Sequence, residues 1–389
     1  MKRIYLDNGA TSYPKAPGVG DAVKLFIEDI GNNVNRSGYA GSFAAEEIVF
    51  ETREMLGRLF NFDRSENIIF TMNITQGLNF LLKGLLRQGD HCIVSSMEHN
   101  AVMRPLMQLK KEGAEFSRVM CDKFGRLNPD DISRHIKPNT RAVVITHASN
   151  VCGTVLPAAD IGSICKEKGL KFIIDTAQTA GIMDIDFNKI KAHAIAFTGH
   201  KGLLGPQGTG GFAINDEMAE AIDTLISGGT GSLSEYEVQP PYMPDKFEAG
   251  TMNLPGIYGL NAALKYIDNI GTDAIREKEL ELTYMLLQGL VNIKGVHISG
   301  LKGINNRTAV VSVDFEGCDN AEVAHCLDKY HGIKTRCGLH CAPSAHRTLG
   351  TFPRGTVRFS PGHFNTKEEI ETTVSSVNQI LKELRSTVR

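Results

Sequence analysis

Between residues 67 and 215, short apolar runs rich in β-branched residues alternate with helix-like stretches, and that alternation leaves few folds open. The runs fall at 68–71, 92–95, 116–120, 142–146, 172–175, 194–198 and 211–214, with helical stretches at 75–86, 101–111, 158–168 and 216–226 between them. Apolar residues follow one another within the runs, so each strand needs cover on both faces. The expectation is an α/β fold built on a wound mixed sheet. A stretch rich in glycine and proline at 227–255 closes this pattern. Beyond it, Ile275, Leu282, Met285, Leu286 and Leu290 form a helical stripe. Thr366 and Glu369 read as a capping box opening a last helix whose apolar face is Ile370, Val374, Val377, Leu381 and Leu384. A second, smaller α+β domain follows, so that residues 15–255 form the large domain and residues 1–14 with 256–389 the smaller one.

Composition removes several function classes. At 389 residues there is material for about two or three folding units. Lys plus Arg number 42 against 44 for Asp plus Glu, a balance that gives no global attraction for nucleic acid or anionic lipid. No apolar run is long enough for a membrane span, and Asp7 sits where a signal peptide would need its apolar segment, so a cytoplasmic protein is expected. The eight cysteines are few for the length and read as reduced thiols. No paired C-x-x-C knuckles occur, and His340, Cys341 and His346 match no common ligand spacing, so no metal is expected. The glycine loop 205–211 precedes a strand instead of opening a helix, which makes it a turn and not a dinucleotide site.

Two runs end in charged groups: Phe172-Ile173-Ile174-Asp175 and Ala194-Ile195-Ala196-Phe197-Thr198-Gly199-His200-Lys201. In an open α/β sheet, ligands bind at the carboxyl ends of strands. An apolar run ending in a carboxylate and another ending in an amine suit pyridoxal 5'-phosphate, whose aldehyde needs an amine and whose ring nitrogen needs an anion. Taken singly, Asp175 is also a turn cap and Lys201 a solvated side chain. The pair is what points to the coenzyme.

The segments Tyr5–Asn8, Met97–Asn100, His147–Asn150, Asp175–Gln178, Thr198–Lys201, Glu248–Thr251, Arg336–Ala342 and Val357–Arg358 occur in order along nearly the whole chain. In this the sequence resembles the class V aminotransferase family and, within it, the cysteine desulfurases. The resemblance implies the fold type I of the PLP-dependent transferases. It implies that Lys201 bears the coenzyme and moves the proton, that Asp175 pairs with the ring nitrogen, and that His99 stacks on the ring. It makes Asn150 and Gln178 partners of the phenolic oxygen, with Asn150 also near the substrate, and Thr75, Gln76, Thr198 and His200 ligands of the phosphate. Thr251 would reach the phosphate of a neighbouring subunit, which implies a homodimer. Thr75 also reads as an ordinary helix cap. Asn73 stands where the family carries a small residue; asparagine tolerates left-handed backbone.

The segment Arg336-Cys337-Gly338-Leu339-His340-Cys341-Ala342-Pro343 is polar and punctuated by glycine and proline, so an exposed loop is expected. Neighbouring His340 and Arg336 would favour the Cys341 thiolate, the species that attacks sulfur. The resemblance makes Cys341 the acceptor of the substrate's sulfur as a persulfide, to be passed to an acceptor protein. Arg358 would hold the substrate carboxylate through a two-pronged contact, or else is a strand-end ion pair. Cys337 stands where relatives carry Thr and reads as inert before it reads as a resolving thiol. The function expected is conversion of L-cysteine to L-alanine. A selenocysteine lyase or other carbon–sulfur lyase on the same scaffold, and a non-catalytic sulfur carrier, are the alternatives.

Overall fold

Strand β1 (Ile4–Tyr5) is followed by seven strands that pair into one sheet: β2 (Ile68–Thr71), β3 (His91–Ser95), β4 (Glu115–Val119), β5 (Thr140–Thr146), β6 (Lys171–Asp175), β7 (Ala194–Thr198) and β8 (Gly210–Ile214). The computed structural model describes residues 3–34 and 40–387; Met1 and Lys2, part of the amino-terminal reading above, lie outside the described residues. The strand order is β2-β8-β7-β6-β5-β3-β4. β8 runs antiparallel to β7 and β2, whereas β4, β3, β5, β6 and β7 pair parallel in succession, so the sheet is mixed. Each of the seven strands of this sheet lies within two residues of its sequence-based bounds.

The apolar runs do what their lack of alternation requires. Ile93, Val143, Ile145, Phe172, Ile174, Ile195 and Phe197 enter one core cluster, while Cys92, Val94, Ala142, Val144, Ile173, Ala194 and Ala196 enter another on the opposite face. Each large side chain so buried contributes roughly 1.5–3 kcal/mol. Glycine is needed at Gly211, because a Cβ there would run into the Ile69 carbonyl oxygen. The first core extends past residue 255: the Leu254–Ile270 helix packs Ile257, Leu260, Leu264 and Ile267 into it.

A four-stranded antiparallel sheet forms the second layer, in the order β12-β13-β10-β9: β9 (Val296–Ser299), β10 (Val311–Phe315), β12 (Arg336–Gly338) and β13 (Thr356–Phe359). Short β11 (Ile333–Lys334) pairs parallel with β1. The helices Thr272–Val291, Asn320–His331 and Lys367–Thr387 cover this sheet with a third core around Leu286, Val313, Leu327, Phe359 and Val377. The capping box is formed in both directions, Glu369 N–H to Thr366 Oγ1 at 3.3 Å and Thr366 N–H to Glu369 Oε2 at 3.2 Å. No helix among the described residues is long and apolar enough to cross a membrane.

Three expectations change. The 216–226 helix stops at Ala221, because Ile222 turns extended and the Asp223 N–H donates to Gly84 O at 3.0 Å. Residues 336–343 are not all loop: Arg336–Gly338 is an edge strand too short to show a period, and Pro343 opens a helix to Thr348. Asn73 is extended, at φ −173°, and serves as a helix cap whose Oδ1 accepts the Gln76 N–H at 3.0 Å. Its side chain, not left-handed backbone, is what that position uses.

Candidate active site

A cavity of about 320 Å³ opens at the carboxyl ends of β5, β6 and β7 and the start of the Ile74–Leu85 helix. Thr75, His99, Asn150, Asp175, Gln178, Thr198, His200 and Lys201 all line it, so eight of the expected site residues meet in one place. Residues more than a hundred positions apart converge because parallel strands all end on the same side.

Lys201 follows β7 by three residues. Burial brings its amine pKa down to about 8; Arg358 and Arg336 act the same way, while Asp175 and Asp7 oppose them. Asp175 closes β6 and is 2% exposed. Burial raises its pKa, while Lys201 and the Ala177 N–H, which donates to Oδ1 at 2.9 Å, lower it. His99 caps the Asn100–Lys111 helix, its Nδ1 accepting the Ala101 N–H at 3.0 Å. Burial, then the cations Lys201, Arg336, Arg358 and Arg104, bring its pKa down to about 4. The ring is therefore neutral, with its proton on Nε2.

The remaining wall residues are held by backbone. Gln178 Nε2 donates to Gly9 O at 3.0 Å, and Asn150 Nδ2 to His340 O at 2.7 Å. Thr198 Oγ1 makes a long contact of 3.4 Å to Thr209 O. The buried Nδ1 of His200 has no partner among the described residues, and burial brings this ring's pKa to about 4. The His200 carbonyl is clasped by Ser12 N–H at 2.9 Å and Lys15 Nζ at 2.9 Å. Lys15 was not legible in the sequence as a site residue, since nothing local marks a lysine 185 positions away as a neighbour.

Gln76 and Thr251 are not in this cavity. The Gln76 side chain turns back to accept the Met72 N–H at 2.8 Å, and Thr251 lines a separate recess with Glu248 and Met252. That recess has a firm base. Arg53 Nη2 pairs with Glu248 Oε2 at 2.6 Å, and Glu248 Oε1 accepts the Phe70 N–H at 2.6 Å. Arg53 also donates to the Ile68 carbonyl and lies over the Phe70 ring. Together these two side chains satisfy the Ile68 carbonyl and the Phe70 N–H on the free edge of β2, one of the two outer strands.

Arg358 sits on β13, fully buried. Its Nη2 pairs with Asp7 Oδ1 at 2.8 Å, its Nη1 donates to Asn150 O at 3.1 Å, and its Nε has no partner among the described residues. The ion-pair reading of Arg358 is thus realised, and one edge donor is left over. Gly9 makes room for it, since a Cβ there would come within 3.3 Å of the guanidinium carbon.

Cys341 is exposed. It and His340 both adopt left-handed backbone, at φ +58° and +49°, a strained pair that turns the thiol outward. The turn is tied down by Asn100 N–H to Cys341 O at 2.8 Å and by the Asn150 contact to His340 O. Arg336 Nη2 lies 3.6 Å from Sγ. His340 does not assist the thiol: its ring is buried, bonded through Nε2 to Thr356 Oγ1 at 3.1 Å, and burial drives its pKa to about 2. Cys337 faces the second sheet's core, and burial pushes its thiol up, which suits the inert reading.

With this geometry in place, the comparisons with known proteins are consistent. A family model described as Aminotransferase class-V matches residues 4–373. The chain is 34% identical over 98% of its length to a probable cysteine desulfurase of Pyrococcus abyssi, covering 95% of that protein. It is 33% identical over 97% of its length to a probable cysteine desulfurase of Methanothermobacter thermautotrophicus, covering 94% of it. Among solved structures, the apo structure of a cysteine desulfurase from Thermococcus onnurineus NA1 superposes with a TM-score of 0.91 at 32% identity, covering 98% of this chain and 95% of that one. The chain belongs to the class V aminotransferase family and has the fold type I of pyridoxal-phosphate enzymes.

Proposed function

We propose that this protein is a PLP-dependent cysteine desulfurase, taking L-cysteine to L-alanine and the sulfur to Cys341. The observation that carries the reading is the meeting of a half-buried lysine and a buried aspartate in one cavity at the strand ends. The donor set fits pyridoxal 5'-phosphate. Lys201 has an amine whose pKa is brought down to about 8, so that an uncharged fraction is available near neutrality, Asp175 would offer an anion to the ring nitrogen, and His99 would offer a neutral ring face. The start of the Ile74–Leu85 helix with Thr75, Thr198 and the unpartnered Nδ1 of His200 suits a phosphate. When bound, the coenzyme supplies an electron sink for the substrate's α-carbon.

The chain's own groups then divide the work. Arg358 holds the substrate carboxylate, its spare Nε adding to the donor fork. Lys201, with its depressed pKa, takes the α-proton at Nζ and later returns a proton to carbon. The Cys341 thiolate bonds to the substrate sulfur as the carbon–sulfur bond breaks, and the electron pair of that bond leaves with the alanine portion. Arg336 stands by the thiolate as its counter-charge. The persulfide then passes to an acceptor protein.

A homodimer completes the reading. The Thr251 recess lies beside an open apolar hollow of about 670 Å³ that includes Phe43, Phe50 and Met252, with Tyr236 and Val238 also exposed on the molecule. A cytoplasmic setting accords with eight free cysteines. The test is to incubate the protein and pyridoxal phosphate with L-cysteine, and separately with L-selenocysteine, and to measure alanine. Turnover of both that is lost in Cys341→Ala supports the persulfide route, and cysteine turnover unchanged in that variant rejects it. A colourless protein after coenzyme addition favours the sulfur carrier.

A further inference from the structure

Around Cys341 the surface carries positive charge that no carboxylate answers. Elsewhere the exposed Arg64, Arg87, Arg126 and Arg134 each meet a carboxylate. Arg104, Arg118, Arg336 and Arg347 meet none among the described residues. Three of them are exposed, and Arg336 is half-buried. A chain whose formal net charge is -2 has no general surplus of cations that would account for the gathering.

The turn 96–100 brings these side chains together. Arg336 lies on β12, with Nη2 3.6 Å from the thiol sulfur. Arg104 lies one turn into the helix whose Asn100 N–H donates to Cys341 O at 2.8 Å. Arg347 lies on the Pro343–Thr348 helix that follows the thiol, and Thr348 Oγ1 donates to Ser96 Oγ at 2.9 Å. Arg118 lies on β4, and Ser96 holds the end of that strand as well: its N–H donates to Val119 O at 2.8 Å, and its Oγ accepts the Cys121 N–H at 3.0 Å. The charges also feel one another. Arg336 and Arg104 are both among the cations that, after burial, lower the His99 pKa; burial and then Arg347 lower that of Arg118, with the buried Glu98 opposing. Apolar side chains lie between the charges. Met107, three residues after Arg104, and Met120, two after Arg118, are exposed, as is Phe352, whose ring lies 4.0 Å from the Arg347 guanidinium.

Like charges held together on a surface repel, and an anionic partner relieves that repulsion while being steered to the spot. Sulfur carried on an exposed thiol needs a second thiol to receive it. Nucleic acid and lipid headgroups supply the anion but no thiol, and cations spread over four elements with methionine and phenylalanine between them suit a protein surface. We propose that this face docks an acceptor protein whose receiving cysteine is ringed by aspartate and glutamate side chains. This rests on Cys341 being the sulfur-bearing thiol. The acceptor's thiolate attacks the outer sulfur of the Cys341 persulfide: one sulfur–sulfur bond forms as the other breaks, and the bonding pair leaves with Cys341 as a thiolate beside Arg336. The acceptor then carries the persulfide, and no outside oxidant or reductant is consumed.

The test loads Cys341 of the holoenzyme with sulfur from L-cysteine, confirms the added sulfur by mass, and follows its transfer to three probes. These are a short peptide with a cysteine flanked by glutamates, the same peptide flanked by lysines, and glutathione. Each rate is divided by that probe's rate with a small neutral disulfide, which removes differences in thiol reactivity. The acidic peptide should be at least about tenfold faster than the basic one at low ionic strength, with the advantage fading at about 0.5 M salt. Arg118→Gln and Arg347→Gln should each slow the acidic peptide roughly twofold to fivefold and leave alanine release with dithiothreitol as acceptor unchanged. Equal rates for the two peptides, or an acidic rate untouched in both variants, overturn the docking face. Glutathione as fast as the acidic peptide overturns it in favour of a small anionic thiol. A wild type that gains no sulfur at Cys341 overturns the functional reading and the docking face with it.

Discussion

The amine end and the thiol end of the site are built on opposite terms. Lys201 and Asp175 sit at and just beyond the ends of central strands, the aspartate buried and the lysine half-buried against the cavity, where desolvation shifts both pKa values toward the neutral forms. Cys341 sits on a strained turn after an edge strand, exposed, with one guanidinium at 3.6 Å. Proton chemistry needs a dry and fixed amine, whereas sulfur has to be handed outward. One fold supplies both by joining a wound sheet to the rim of a small antiparallel one.

The largest effect expected is at the amine. Lys201→Ala should lower turnover at least about a thousandfold and abolish borohydride fixation of the coenzyme to the 198–203 peptide. Asp175→Asn should cost on the order of a hundredfold in kcat, read by steady-state alanine release, because the charge that sustains the electron sink is gone. Arg358→Lys should raise KM for cysteine roughly tenfold to a hundredfold, since an ammonium cannot reproduce the fork and leaves Asp7 and Asn150 O poorly matched. At the thiol end the comparison sharpens in the reverse direction. Cys341→Gly should abolish persulfide formation yet stabilise the protein by about 1 kcal/mol in urea titration, because glycine accepts the positive φ at no cost.

The smallest effect is on pH. Glu98 and Glu279 are both pushed up to about 8 by burial from an ordinary value of 4.5. A carboxyl that holds its proton more tightly when folded contributes stability below the ordinary value and loses it as pH rises through about 8. The buried neutral histidines His99, His147, His200, His340 and His346 act in the opposite sense, but only below their ordinary 6.5. Lys15 and Lys201, lowered to about 8, act above it. Between pH 6.5 and 8 the melting temperature should therefore fall, and Glu279→Gln should flatten that slope.

The strands were readable because a doubly covered strand writes its burial directly into the chain, as 172–175 and 194–198 do. Lys201 and Asp175 were readable because charge at the end of such a run is chemically conspicuous. What sequence could not convey was partnership across the chain. His340 adjoins Cys341 in sequence yet points into the core, and its burial is decided by Thr356 and His346. Asp7, a residue of the Tyr5–Asn8 segment, reaches Arg358 only because β1 docks beside β11. Glu279 carries no local mark at all. Helix 343–348 escaped notice because six residues are too few to display a period.

The Arg53–Glu248 pair has one more consequence. By filling the Ile68 carbonyl and the Phe70 amide, it denies that flank of the sheet to any stray extended peptide, the usual beginning of fibrous stacking. The segment that carries Thr251 cannot pull away without laying that flank bare. Keeping the molecule out of aggregates and keeping Thr251 in place are therefore a single task given to two side chains.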